Sequence, residues 1–72
     1  MRTFFADELP VAGALLTLDK NETRHALQTL RMQVGDEMRL LDGRGREALA
    51  KLDEIKGRNS AVCRIVELKE LE

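Results

Sequence analysis

Aromatic residues are almost missing from this sequence. Its 72 residues include two Phe but no Trp or Tyr, although 43% of them are hydrophobic. The sequence therefore predicts a core built from aliphatic side chains. A chain this short buries only about 60% of its unfolded surface, which leaves room for one core. We expect a single small domain over residues 1–72.

Cysteine and histidine occur once each, as Cys63 and His25. A lone cysteine cannot form a disulfide within the chain, and one Cys with one His falls short of the three or four protein ligands of a usual zinc site. No apolar run approaches the roughly 18 residues of a membrane span, and no basic-then-apolar leader opens the chain. We therefore expect a cytoplasmic protein without a metal site or a membrane anchor.

Motifs that carry catalysis are also absent from the sequence. It contains no Walker-type phosphate loop, no GxGxxG and no GxSxG. The Gly43-Arg44-Gly45 triplet is expected between two strands, where a hairpin turn explains both glycines. A single His25 on a helix is more often a surface or hydrogen-bonding residue than a general base. We expect no catalytic residue and no cofactor site in these 72 residues.

The charges are balanced overall but distributed unevenly. Twelve basic residues against 13 acidic ones give a net charge of −1, so the chain is not a generally basic domain. Between Arg24 and Arg46, however, five Arg stand against three acidic residues. Because Arg suits bidentate phosphate contacts, this stretch could present a modest nucleic-acid-binding surface.

Residue patterns predict short strands around one helix. Strands are expected at residues 2–5, 14–18, 37–41 and 60–68, where β-branched or apolar residues are bounded by Gly, Pro or Asp. Asp19 followed by Glu22 has the spacing of a helix cap, and the apolar stripe that follows predicts a helix over residues 20–31. The Asp42-Gly43 pair predicts a hairpin turn, and residues 57–60 predict another turn. Residues 67–72 are expected to be a strand end running into a linker.

Residues 46–55 are open to two interpretations. Their sequence, REALAKLDEI, has high intrinsic helix propensity, and Leu49, Leu52 and Ile55 could form an amphipathic stripe. As a strand, the same segment would place Ala48, Ala50 and Leu52 on one face and pair with the preceding strand through the hairpin.

Arginines provide the candidate binding residues. Arg24, Gln28 and Arg31 are expected on one helical face, and Arg44 and Arg46 at the hairpin tip. Together with Arg2 they could converge on one RNA-binding surface if the helix and the hairpin lie side by side. A structural role is an alternative in each case, because Arg31 near the helix C-terminus can bond terminal carbonyls and the hairpin arginines can be solvated. The two phenylalanines, Phe4 and Phe5, are expected in the core rather than as stacking platforms for bases.

The stretch from His25 to Met32, HALQTLRM, and the following VGDEMRLLDGRGREALAKL resemble the N-terminal domain of the ribosomal RNA small subunit methyltransferase E (RsmE) family. That family carries a His on a short helix, a Leu-Arg pair, a Gly-Asp turn and an apolar strand ending in Asp-Gly. These features correspond here to His25, Leu30-Arg31, Gly35-Asp36 and Asp42-Gly43. The opening Arg-Thr-Phe-Phe is similar to the start of the family's sequences as well.

The resemblance implies a PUA-like β-barrel, mainly β with one short helix, in which residues 46–55 are a strand. It also implies a domain that holds 16S ribosomal RNA for a separate C-terminal SPOUT domain, which binds S-adenosylmethionine and methylates N3 of a uridine, usually in a homodimer. The RNA-contacting residues implied in this chain are Arg2, Arg24, His25, Arg31, Arg44 and Arg46. The alternative function is a protein-interaction module that docks on the catalytic domain or on the other subunit.

Overall fold

The computed structural model describes residues 2–57 and 60–70. Within them the chain forms five strands and one short α-helix, which confirms the mainly β architecture. In chain order the elements are β1 (Thr3–Phe5), β2 (Leu15–Thr17), α1 (Lys20–Arg24), β3 (Glu37–Leu41), β4 (Arg46–Lys56) and β5 (Ser60–Glu70), with a π-helical turn at His25–Thr29 directly after α1. None of the described helical segments is long and apolar enough to cross a bilayer.

The strands form one sheet in the order β1-β3-β4-β5-β2. β1 pairs with β3 in parallel, whereas the other three pairs are antiparallel. Residues 5–8, at and after β1, and residues 16–19, at and after β2, line the same cleft. The two edges of the sheet therefore face each other, and the sheet curls into a barrel-like shape with the core inside.

Residues 46–55 are part of the long strand β4, so the strand interpretation is confirmed. The side chains of Ala48, Ala50 and Leu52 point to the core and are at most 1% exposed. β4 pairs with β3 on one side and with β5 on the other. Because the sheet pairs both edges of this segment and the core covers Ala48, Ala50 and Leu52, tertiary packing overrides its local preference for helix.

The core is aliphatic apart from one ring, as expected. Phe4 is fully buried, but Phe5 is 60% exposed, so the expectation that both rings pack in the core is wrong for Phe5. Successive residues of a strand point to opposite faces, and β1 can therefore bury only one of the two. Cys63 also lies in the core, where its Sγ donates to the carbonyl oxygen of Leu16 at 3.4 Å, and burial raises the pKa of its thiol to about 11.

The helix begins where the sequence predicts it to begin but ends early. The Asp19 carboxylate accepts a hydrogen bond from the Glu22 amide at 2.7 Å, which confirms the N-cap. Thr23 is buried, and its hydroxyl donates to the Leu18 carbonyl at 3.3 Å and accepts from the Ala61 amide at 3.4 Å. The predicted helix over residues 20–31 is wrong in length, because α1 ends at residue 24 and gives way to a single π-helical turn.

Two further predictions concern the turn at residues 57–60 and the strand end and linker at residues 67–72. β5 continues through Glu70, two residues beyond the predicted strand end at Leu68. The rest of the predicted linker, residues 71–72, lies outside the described residues, as do residues 58–59 of the predicted turn.

Candidate nucleic-acid interface

The loop between β3 and β4, residues 42–46, is organised by the carboxylate of Asp42. Its Oδ1 accepts hydrogen bonds from the amides of Arg44 at 2.7 Å and Arg46 at 3.1 Å. Gly43 and Gly45 have φ angles of 73° and 92°, values that glycine adopts without the penalty of a Cβ. The predicted hairpin turn is therefore confirmed, and the hydrogen bonds that stabilise it lie within residues 42–46.

The pKa of Asp42 lies below its usual value of 3.8. The largest cause is the hydrogen bond from the Arg44 amide, and the Arg46 amide and the two nearby guanidinium charges lower the pKa further. Desolvation acts in the opposite direction without reversing the shift. The ionised carboxylate is thus the form that fits this loop.

The side chains of Arg44 and Arg46 make no ion pair with any residue in the described part of the chain. Arg44 is exposed, whereas Arg46 is half-buried. The Nε of Arg46 is buried and has no hydrogen-bond acceptor among the described residues. A buried donor without a hydrogen-bond partner is costly.

The segment that follows α1 carries a second group of candidate residues. Arg24 is the last residue of α1 and is exposed, and His25 opens the π-helical turn and is also exposed. The His25 ring lies edge-to-face on the buried ring of Phe4, with 5.7 Å between ring centroids and 82° between ring planes. This contact fixes the imidazole at the rim of the barrel.

Arg31 has a φ of 52°, which makes it the only non-glycine residue in the described segments with a left-handed backbone. It follows a helix end closed by the bond from the Leu30 amide to the His25 carbonyl, at 3.0 Å. Glycine or asparagine usually occupies such a position, because a Cβ costs energy there. The predicted helical face shared by Arg24, Gln28 and Arg31 is therefore wrong for Arg31, which lies beyond the helix.

Arg2 is exposed at the start of β1, where its carbonyl accepts a hydrogen bond from the Arg39 amide at 2.8 Å. Along the chain, five of the six candidate residues fall into two groups on either side of strand β3, whereas Arg2 lies beside Arg39, which is part of that strand. Arg44 and Arg46 leave the C-terminal end of β3, whereas the segment with Arg24, His25 and Arg31 leads into the N-terminal end of that strand. The ends of the five-residue strand β3 are about 13 Å apart at about 3.3 Å per residue, and no hydrogen bond or ion pair between described side chains joins the groups.

Two arginines outside the candidate set behave differently. Arg39 lies beside Glu47 on the outer face of the sheet. The Arg39 Nε is 2.8 Å from the Glu47 Oε1, but the two atoms are poorly aligned for a hydrogen bond. The Arg39 Nη2 donates a hydrogen bond to the Glu47 Oε2 at 3.4 Å. Arg64 pairs with Asp53 at 3.5 Å and donates to the Gly13 carbonyl at 2.9 Å. These two positive charges are balanced within the chain, whereas the side chains of the five candidate arginines have no ion-pair partner among the described residues.

Sequence reasoning missed two acidic residues that share a cleft with the hairpin arginines. Asp7 and Glu8 line this cleft together with Arg44 and Arg46. They are brought there by the parallel pairing of β1 with β3, which places the Ala6 amide 3.0 Å from the Leu41 carbonyl. Only the topology reveals this neighbourhood, because the two segments are far apart in sequence.

The curled five-stranded sheet with a short helix at its opening places the chain in the class of PUA-like barrels. The sequence model of the RNA methyltransferase PUA domain matches residues 18–66, and the chain belongs to this family. No curated protein sequence matches the chain.

Solved structures with the same fold include three bacterial proteins. A protein from Legionella pneumophila, solved with S-adenosylmethionine, has a TM-score of 0.88 and 25% identity, and the match covers 96% of this chain and 28% of that protein. Ribosomal RNA small subunit methyltransferase E from Neisseria gonorrhoeae, also bound to S-adenosylmethionine, has a TM-score of 0.85 and 28% identity over 96% of this chain and 28% of that enzyme. A probable rRNA methyltransferase from Porphyromonas gingivalis has a TM-score of 0.85 and 29% identity over 100% of this chain and 29% of that protein.

These matches confirm the resemblance to the RsmE family. The chain spans less than a third of the length of each of the three proteins.

Proposed function

We propose that residues 1–72 are one PUA-like RNA-binding domain that positions 16S ribosomal RNA, or the small ribosomal subunit, for methylation by a separate catalytic domain. The observation that carries this proposal is the division of the arginines. Arg39 and Arg64 are paired within the chain, whereas the candidate arginines keep their charge available to a ligand. The family match to RNA methyltransferases supports the same function.

In this proposal the arginines bind the RNA backbone and His25 provides a hydrogen bond at the same surface. Arg2, Arg24 and Arg31 contact phosphates from the helix side of the barrel, and Arg44 and Arg46 do so from the hairpin. Guanidinium groups form bidentate bonds to phosphate oxygens and fix the register of the RNA without reading its sequence. Two groups of contacts would orient an RNA more firmly than one group.

The chemical step belongs to the rest of the enzyme in our proposal. A C-terminal SPOUT domain, joined through a linker beginning near residues 68–72, would bind S-adenosylmethionine and methylate N3 of a uridine, as a cytoplasmic homodimer acting in ribosome biogenesis. The 72-residue segment alone would have no methyltransferase activity. The names of the similar solved enzymes support this assignment.

The test is a titration of the folded 72-residue chain with a fragment of small-subunit ribosomal RNA at two salt concentrations. The variant Arg31→Glu, Arg44→Glu changes one residue in each group, and Lys51→Glu, Lys56→Glu is its control, since it changes the net charge equally at exposed sites outside both groups. We expect the arginine variant to lose at least about tenfold in affinity and its salt slope to fall by about 0.7 for each lost phosphate contact. Equal losses in both variants, or no loss in either, would contradict the proposed surface.

The alternative function, a protein-docking module, is favoured by one observation. Leu15 on β2 and Val66 on β5 are 52% and 46% exposed. Register places Leu15 opposite Arg64, on the outer face of the sheet. Exposed apolar side chains on adjacent strands suit contact with another protein surface. Absence of RNA binding at low salt, together with capture of the chain by the catalytic domain in a pull-down, would favour this alternative.

A further inference from the structure

A cleft of about 330 Å³ lies between the hairpin loop and the segment after β1. One wall carries Arg44 and Arg46, and the other carries Asp7 and Glu8. Leu9, which is 7% exposed, also lines the cleft. The volume is at the lower end of the range of about 300–1,000 Å³ for small-molecule sites, which is suitable for a single nucleotide.

The oppositely charged side chains of the two walls form no ion pair with one another. None of the four charged side chains makes an ion pair or a side-chain hydrogen bond with a described residue. Asp42, which also lines the cleft, is engaged by the backbone amides of its own loop. The cleft therefore offers free donors on one wall and free acceptors on the other.

The two walls together set a requirement on any ligand that fills the cleft. A ligand that meets both walls must carry hydrogen-bond acceptors with negative charge at one end and a hydrogen-bond donor at the other. A phosphate group followed by a ribose satisfies this condition, because the phosphate accepts from guanidinium and the 2′-hydroxyl donates to a carboxylate.

We propose that this cleft is a ribonucleotide subsite in which Arg44 and Arg46 hold a phosphate and Asp7 and Glu8 accept a hydrogen bond from the 2′-hydroxyl of the attached ribose. Leu9 provides the surface on which the sugar rests. Asp7 and Glu8 are then the residues that distinguish RNA from DNA, since only RNA carries the 2′-hydroxyl. The inference rests on the proposed RNA-binding function and assigns a selective role to two acidic residues.

The experiment compares a short single-stranded oligoribonucleotide with its 2′-deoxy counterpart of the same sequence, with uracil in both. Affinities are measured by fluorescence anisotropy for the wild-type chain, for Asp7→Ala with Glu8→Ala, and for Glu54→Ala as a control. Glu54 is an exposed carboxylate on β4 that does not line the cleft. All three targets are exposed, and circular dichroism verifies that each variant is folded.

We expect the wild type to prefer RNA by about tenfold, the value of one hydrogen bond to a charged group, and the double variant to lose this preference. Glu54→Ala keeps it. If removing Asp7 and Glu8 strengthens RNA and DNA binding equally, the carboxylates merely repel phosphates and the subsite is wrong, while the proposed RNA-binding function stands. If the folded wild type binds neither oligonucleotide nor the ribosomal RNA fragment, the proposed function itself is wrong.

Discussion

The hairpin loop and the turn after α1 both carry candidate RNA contacts, but they are held in place by different means. The hairpin loop is fixed by its own residues, with the Asp42 carboxylate bonded to two amides and two glycines in left-handed conformations. The turn after α1 depends on the remainder of the fold. His25 rests on the buried ring of Phe4, and Arg31 adopts a left-handed backbone without being glycine.

The conformation of the hairpin loop is thus determined by residues close together in sequence, whereas that of the turn after α1 is determined by contacts with distant residues. A loop stabilised by neighbouring residues in sequence keeps its shape when distant parts of the domain change. A turn stabilised by tertiary contacts changes with the core beneath it, and it contains the strain that often marks functional segments. Variants that affect one loop and leave the other intact therefore test the comparison directly.

The largest effect is expected for Phe4→Ala. This change removes the largest fully buried side chain and the surface on which His25 rests, at a cost of about 3–5 kcal/mol in the free energy of unfolding. For a domain of this size such a loss is enough to unfold it. Urea denaturation followed by circular dichroism measures the effect.

Phe5→Ala is the matched control, because Phe5 is 60% exposed. Its effect should stay within about 0.5 kcal/mol. The milder Phe4→Leu variant, observed by NMR, sharpens the comparison: chemical shifts should change in the turn after α1 and stay nearly constant in the hairpin loop. Equal chemical-shift changes in the hairpin loop and in the turn after α1 would show that both depend on the core around Phe4.

Arg31→Gly is expected to change the free energy of unfolding by a smaller amount and in the opposite direction. Glycine adopts a φ of 52° freely, so the variant should raise the free energy of unfolding by about 0.5 kcal/mol after the entropy of glycine in the unfolded chain is included. RNA affinity should fall, since a guanidinium contact is lost. The variant would then be more stable than the wild type but would bind RNA more weakly.

Arg24→Gly is the control for this prediction, because Arg24 has a right-handed backbone with a φ of −60°. There glycine should lower the free energy of unfolding by about 1 kcal/mol. Thermal denaturation of both variants measures the two signs. A destabilising Arg31→Gly would show that the left-handed backbone at this position carries no strain.

The smallest effect is expected for Asp42→Asn and is best observed through pH. Because the folded pKa of Asp42 is lowered, its ionised form contributes stability above the usual value of 3.8 and loses that contribution as the pH falls through the folded pKa. The stability difference between wild type and variant should therefore be present at neutral pH and shrink below about pH 4. A difference that stays constant with pH would contradict this account of the loop.

Local chemistry explains which features were predictable from the sequence. The N-cap at Asp19 and the turn at Asp42-Gly43 depend on neighbouring residues, and both predictions are confirmed. The early end of α1 was not predictable, because the side-chain spacing of residues 20–31 is that of a continuous helix. The exposure of Phe5 likewise follows from which face of β1 meets the core, which two adjacent phenylalanines do not reveal.

The candidate site was predictable in part for the same reason. The arginines and His25 follow from residue type and from the family resemblance, and their roles stay predictions. The position of Asp7 and Glu8 beside Arg44 follows from the parallel pairing of β1 with β3. Local residue patterns do not predict which strands pair when they are distant in sequence.

The placement of β1 and β2 at the two edges of the sheet also has a consequence for how the domain forms. Leu16 and Cys63 are paired in the sheet although 47 residues separate them, so β2 has no partner until β5 exists. Strands β3, β4 and β5 are consecutive neighbours and can assemble first, because closing a short loop costs less entropy. During synthesis, the turn with His25 and Arg31 therefore acquires its final shape only after nearly the whole domain has left the ribosome, and the hairpin with Arg44 and Arg46 is complete before it.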